Sequence, residues 1–290
     1  MRRLLYFVLL MIGTTGCERL ISERLEALNL EPAEISGQKL VLTSPANRVV
    51  LLRDSAAAVI NGIPVELPGP AVRDPGKRWD LPEAAVTRVL LPVLDSSPHP
   101  VRTVLIDPGH GGHDRGTAAA SGDTEKDLNL ALALRLAAAL REVGFAVRLT
   151  RDADRFLTLD RRAELAGEPG TDLLISVHHN ASATNPDAAG TETFALREEN
   201  PAESARARAA LRLAYLIQRE QSGVNRTPGR GVKTARFKVL RLAPVPAVLV
   251  EAGFLTNPAE AARCADPEHR TQLARAIARA VLEWSGNSSR

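Results

Sequence analysis

The chain has 290 residues, 44% of them hydrophobic and 24% charged, with a formal net charge of +3. This is ordinary for a globular protein with room for one sizeable core and a smaller domain. An aromatic content of 3% argues against a large stacking platform for bases or sugars. Two of the excess cations, Arg2 and Arg3, belong to a leader-like segment, and without them the balance falls from +3 to +1. Such a small excess does not point to nucleic acid.

Arg2 and Arg3 precede an apolar run at residues 4–12 that is too short to span a bilayer as a helix. It has the form of a secretory h-region. Gly13-Thr14-Thr15-Gly16-Cys17 follows. The pattern resembles a bacterial lipoprotein signal with Cys17 as the lipidated residue, although Thr14 stands where Leu is usual. An ordinary secretory signal cleaved nearby is the alternative. Residues 1–17 are therefore expected to be a signal. The mature chain is expected on the periplasmic side of the cell envelope, held to a membrane by a lipid anchor. With Cys17 lipidated, Cys264 has no partner, so no disulfide framework is expected.

Residues 18–35 are charged with scattered leucines and read as a short helix or tether. Residues 36–95 change texture and read as a small β-rich domain. Lys39-Leu40-Val41-Leu42 and Arg48-Val49-Val50-Leu51-Leu52 are β-type runs, and Asn61-Gly62 is a hairpin signal between two more. Residues 82–94 fit a helix with Pro82 in its first turn. This piece resembles one half of the copper amine oxidase N-terminal-like modules of envelope proteins, without a copper-ligand cluster. Residues 96–100 read as a linker, with His99 solvated.

Residues 101–285 form a third region, followed by a tail at 286–290. Here β-type and helical patterns alternate. Strands are expected at 101–106, 145–150, 172–177, 191–196 and 247–250. Helices are expected at 125–143, 159–166, 201–221, 258–264 and 268–284. The helix at 125–143 carries Leu128, Leu132, Leu136 and Leu140 at a four-residue repeat. The alternation predicts an α/β domain with a central sheet flanked by helices.

Four polar residues stand out in this frame. His110 follows the first strand in Asp107-Pro108-Gly109-His110-Gly111-Gly112. Glu125 opens the leucine-rich helix. His178 and Glu251 follow β-type runs. Ligands of open α/β sheets bind beyond the carboxyl ends of the strands. Two His and one carboxylate suit Zn²⁺ with an open position, and a second carboxylate can shuttle a proton. Residue type alone leaves other readings open. His110 and His178 lie 68 residues apart, and a Glu at a helix start often serves only the helix dipole. Glu251, after Val248-Leu249-Val250, is costly to bury without a partner.

Five ordered segments extend the reading: Ile106-Asp107-Pro108-Gly109-His110-Gly111-Gly112, Glu125-Lys126-Asp127-Leu128-Asn129-Leu130-Ala131, Ser176-Val177-His178-His179-Asn180, Arg230-Gly231-Val232-Lys233 and Val250-Glu251-Ala252-Gly253-Phe254-Leu255-Thr256-Asn257. On these, residues 101–285 resemble the zinc-dependent N-acetylmuramoyl-L-alanine amidases of the type 3 amidase family. The resemblance implies a mixed sheet of about six strands between helices. It implies Zn²⁺ held by His110, Glu125 and His178, with Glu251 as the catalytic carboxylate. It also implies peptidoglycan as substrate, cut between N-acetylmuramic acid and L-alanine. A monomer is expected, with any protein activator unknown.

Neighbouring residues are weighed separately. His179 should face away from His178, because consecutive strand residues alternate. His113 is read as loop structure or a substrate contact. Asn129 shares the helix face of Glu125 and holds it, touches substrate or lies at the surface. Residues 197–241 contain eleven Lys or Arg and four Glu. Within them Lys233 and Arg236 are the better candidates for substrate contact. Two other readings compete: a catalytically weak peptidoglycan-binding recruiter, and a zinc peptidase acting within the stem peptide. Some division amidases of the family carry a long insertion after the second histidine motif that blocks the zinc. Here that interval is short, so activity without an activator is expected.

Overall fold

The structure, a computed structural model, describes residues 30–73, 79–225 and 228–287. The signal, Cys17 and most of the tether fall outside them. The chain divides into two compact units, with the boundary between Asp95 and Ser96.

In the first unit an antiparallel sheet runs β1 (Glu31–Ile35), β2 (Lys39–Thr43), β3 (Arg48–Leu52), β4 (Ser55–Ile60) and β5 (Ile63–Arg73), each strand paired with the next. The short β6 (Trp79–Asp80) pairs with β5. Asn61 and Gly62 turn between β4 and β5 with φ of 49° and 87°, the left-handed pair that a two-residue hairpin needs. Residues 83–94 form α1, whose middle, Val86–Leu90, is π-helical ahead of Pro92, which cannot donate to the helix ladder. One expectation is corrected. Glu31–Ile35 is a strand, not helix or tether, because its backbone pairs with β2.

The second unit holds a mixed six-stranded sheet in the order β11-β10-β12-β9-β7-β8. The strands are β7 (Thr103–Pro108), β8 (Ala146–Leu149), β9 (Leu173–Asn180), β10 (Glu192–Leu196), β11 (Gly231–Ala235) and β12 (Ala247–Phe254). All neighbours are parallel except β10 and β12. The central strands are almost wholly apolar up to their carboxyl ends because helices cover both faces. On one face α2 (Glu125–Glu142), α4 (Ser204–Ser222) and α7 (Pro267–Ser285) pack together. Leu132, Leu136 and Leu140 on α2 are fully buried, as their four-residue spacing predicts. On the other face lie α3 (Leu159–Ala166) and α5 (Lys238–Leu242), around Leu105, Leu174, Leu240 and Leu249. Helix α6 (Pro258–Ala265) follows β12 and buries the free Cys264.

His99 is not a solvated linker residue. Its ring stacks on Trp284 at 4.5 Å, and its backbone N–H donates to the Trp284 carbonyl at 2.9 Å. A partly buried aromatic face outcompetes hydration there.

Candidate active site

Beyond the carboxyl end of β7 the chain reverses at Gly109 and His110. A Cβ on Gly109 would lie 2.1 Å from Cε1 of His178, so only glycine lets the imidazole pack on the backbone. His110 itself has a φ of 60°, a conformation that costs a side-chain-bearing residue about 1–2 kcal/mol. Two buried arginines hold it there. Arg151 donates to the carbonyls of Pro108 at 2.9 Å and Gly109 at 2.8 Å. Arg162 donates to the carbonyls of Pro108 and His110, each at 2.7 Å. The Arg162 charge is matched by buried Asp107 at 2.6 Å, which also accepts from Thr150 and Ser176.

At the loop, three side chains converge. Nε2 of His110 lies 3.1 Å from Oε1 of Glu125, and Nδ1 of His178 lies 2.9 Å from the same oxygen. One ligand-type atom from each lies within 4.8 Å of the others. Ligands about 2.0–2.1 Å from a tetrahedral ion stand about 3.3 Å apart, so the set has the size of a single metal site. Its electrostatics also favour a cation. Burial opposes charge on Glu125, yet hydrogen bonds and charges from His110 and His178 hold it well below the usual carboxylate range. Burial likewise disfavours charge on His110, but Glu125 and then Asp114 outweigh it and raise the imidazole to about 8. The donor types, two imidazoles and a carboxylate, fit a zinc-type ion.

Glu251 lies next to this set. It is in register with His178 of β9 on one side and with Glu192 of β10 on the other. A β-bulge follows it before Phe254, a feature that re-aims side chains beside active sites. Its Oε2 is buried and has no hydrogen-bond partner. Burial first, then the charges of Glu125 and Glu192, push its carboxyl up to about 7 against the pull of His178.

The remaining candidates separate by position. His179 points away from the cluster and is buried, donating from Nδ1 to Oδ1 of Asn129 at 2.7 Å, and burial lowers it to about 4. Asn129 is fully buried. Its amide donates to the Gly109 carbonyl at 3.2 Å, which makes it a support for the ligand loop and excludes a surface role. His113 is exposed on the glycine loop and packs on Phe156, ring centroids 4.2 Å apart. Lys233 reaches Oε1 of Glu192 at 2.8 Å. Arg236 is spent elsewhere, paired with Glu203 at 2.9 Å and Glu199 at 3.0 Å. Sequence reasoning missed Asp114, Glu192, Arg151 and Arg162. Asp114 carried a signal in its four-residue offset from His110, and Glu192 in opening a strand. The two arginines carried none, since the partners of Arg151 are backbone carbonyls and Arg162 meets carbonyls and an Asp107 carboxylate 55 residues away in the chain.

A helix-flanked mixed sheet that gathers ligand-type side chains past its carboxyl ends, with a carboxylate oxygen left unpartnered alongside, marks the chain as a layered α/β protein with a site fit for one metal ion and a proton-transfer group. Residues 104–283 match the family model described as N-acetylmuramoyl-L-alanine amidase. The chain belongs to the N-acetylmuramoyl-L-alanine amidase family. It is 33% identical over 220 residues to the N-acetylmuramoyl-L-alanine amidase AmiA of Escherichia coli, covering 63% of this chain and 76% of that protein. It is 36% identical over 176 residues to the amidase LytC of Bacillus subtilis, covering 60% of this chain and 34% of LytC. Among solved structures, the N-acetylmuramoyl-L-alanine amidase of Clostridium difficile 630 superposes with a TM-score of 0.59 at 34% identity, covering 66% of this chain and all of that one. The catalytic domain of CwlV from Bacillus (Paenibacillus) polymyxa gives 0.57 at 31% identity over 65% of this chain and 100% of its own.

Proposed function

We propose that this protein hydrolyses the amide bond between N-acetylmuramic acid and L-alanine in peptidoglycan, with Zn²⁺ held by His110, Glu125 and His178. The observation that carries the reading is the three-atom ligand set lying beside the partnerless Oε2 of Glu251. When bound, zinc supplies Lewis-acid polarisation of the scissile carbonyl and acidifies nearby water. The rest falls to the chain's own groups. Glu251 takes a proton as water oxygen bonds to the carbonyl carbon. The C–N bond then breaks and Glu251 returns the proton to the departing amine. The products are a carboxylic acid on the muramic acid and a peptide with a free L-alanine amino group. A carboxylate with an oxygen free of any partner, beside the ligand set, is placed to carry out both transfers. Lys233 is retained as a substrate contact and His113 as a rim residue.

The test is a digest of purified peptidoglycan read by mass spectrometry. Stem peptides beginning with intact L-alanine, together with peptide-free glycan, are expected. Fragments cut within the stem would refute the reading in favour of a peptidase, and binding without cleavage would leave a recruiter. Each of His110→Ala, Glu125→Ala and His178→Ala is expected to lose zinc and activity together.

We also infer residence in the cell envelope, anchored through Cys17. Support comes from the lipoprotein-like leader. Among the described residues no helix is long and apolar enough to cross a membrane. Cys17→Ala should move the protein from the membrane to the soluble fraction, and wild-type protein already soluble would refute the anchor. Action without an activator is consistent with the segment after β10. There Glu198 accepts from Ser204 at 2.6 Å and Glu199 pairs with Arg236, so both glutamates are engaged away from the ligand set.

A further inference from the structure

We propose that Arg230 and Lys233 form an anion subsite beside Glu251 that takes a carboxylate of the peptide stem, on the residue joined after L-alanine. The inference rests on the amidase reading above and names which part of the substrate this edge of the site recognises.

The argument starts from register. His178, Glu251, Glu192 and Gly231 form one row across β9, β12, β10 and β11. Side chains directly opposite on paired strands share a face, so Glu192 is the neighbour of Glu251 on the active-site side. Glu192 is 3% exposed. Two carboxylates side by side in a buried row are costly unless cations answer one of them.

The answer exceeds the need. Arg230 Nε and Lys233 Nζ both bond to the same oxygen, Oε1 of Glu192. One buried negative charge is met by two positive charges. Both cations keep part of their surface open, with side-chain exposures of 42% and 32%. Aromatic rings fix their positions: the Arg230 guanidinium lies over Phe254 at 5.1 Å and the Lys233 ammonium over Phe194 at 5.8 Å. A purely structural neutralisation of Glu192 needs one cation. A surplus charge held at Glu192, the neighbour of the proposed acid–base group, from β11 on the far side of the row is a recognition device for an anion.

Geometry selects the anion. Cleavage at L-alanine leaves the next residue about one Cα–Cα step, 3.8 Å, further along the stem. Glu192 stands one strand, about 4.7–4.9 Å, from Glu251. The cation tips meet Glu192, on the strand next to Glu251, so the carboxylate of that second residue is the first stem anion past the scissile bond able to reach them, whereas the sugar lies on the opposite side of that bond.

The experiment uses N-acetylmuramoyl-L-alanyl-D-glutamyl-lysine tripeptides, γ-linked, with the glutamyl α-carboxylate either free or amidated. The full mature protein with zinc should prefer the free carboxylate by about 10- to 100-fold in kcat/KM, expressed mainly in KM. Lys233→Met and Arg230→Met should each shrink that preference, and the double variant carrying Glu192→Gln should bring it near one. Calorimetric titration of the released peptides, free and amidated, should give the same ordering without turnover. Equal kcat/KM for both tripeptides in the wild type would overturn the proposal, as would a preference that survives in the triple variant. Failure of the wild type to cleave either tripeptide while cutting elsewhere in the stem would overturn the amidase reading itself.

Discussion

Asp114 stands four residues after His110, and its Oδ1 lies 2.8 Å from the imidazole Nδ1. The opposite nitrogen, Nε2, faces Glu125. A carboxylate this close favours the proton on Nδ1, which would leave Nε2 as the electron-pair donor. Asp114→Ala is expected to lower zinc affinity about 10- to 100-fold, measured by competition with a coloured chelator. Unchanged affinity would remove Asp114 from the metal-site design.

Glu251→Gln keeps the shape of the side chain and removes its basicity. Zinc content should match the wild type while turnover of muropeptides falls about 10²- to 10⁴-fold. Metal analysis and a dye-release assay on the same preparation separate the two effects. An active Glu251→Gln protein would leave the proton transfer without its carrier.

The ion pair between Arg162 and Asp107 is buried on both sides, at 3% and 1% exposure. Arg162→Met strands the Asp107 carboxylate and frees the carbonyls of Pro108 and His110 from their shared donor. A cost of about 3–5 kcal/mol is expected, read from urea unfolding. A loss under about 1 kcal/mol would mean that the loop does not depend on this cradle.

Glu203 gives a pH prediction. The guanidinium of Arg236 and then the backbone N–H of Glu199 lower its carboxyl to about 2 from an ordinary 4.5. A depressed folded-state value means that the stabilisation is fully present above about 4.5 and is lost as pH falls toward 2. The stability difference between wild type and Glu203→Gln should therefore be largest at neutral pH and shrink through that window. A difference independent of pH would argue that the pair contributes nothing electrostatic.

The sequence by itself determined the alternation of elements and the four polar residues at their ends. Burial of both sheet faces demands long apolar β-type runs, and the leucine repeat of α2 is legible without any partner. The short motifs around His110, Glu125, His178 and Glu251 were equally visible, because each lies in one contiguous segment. Tertiary structure alone decided what sits between and beneath them. Strand β11 and helix α5 had no periodic signal of their own, being five residues each, and they exist through pairing with β10 and packing on α3. Glu192 became the neighbour of Glu251 only when β10 entered antiparallel beside β12, a register that no local pattern encodes. Arg236 looked like a substrate contact from its place before the last strand, yet a buried carboxylate 33 residues away claims its guanidinium. Charges find their partners through space, and spacing along the chain carries no record of that choice.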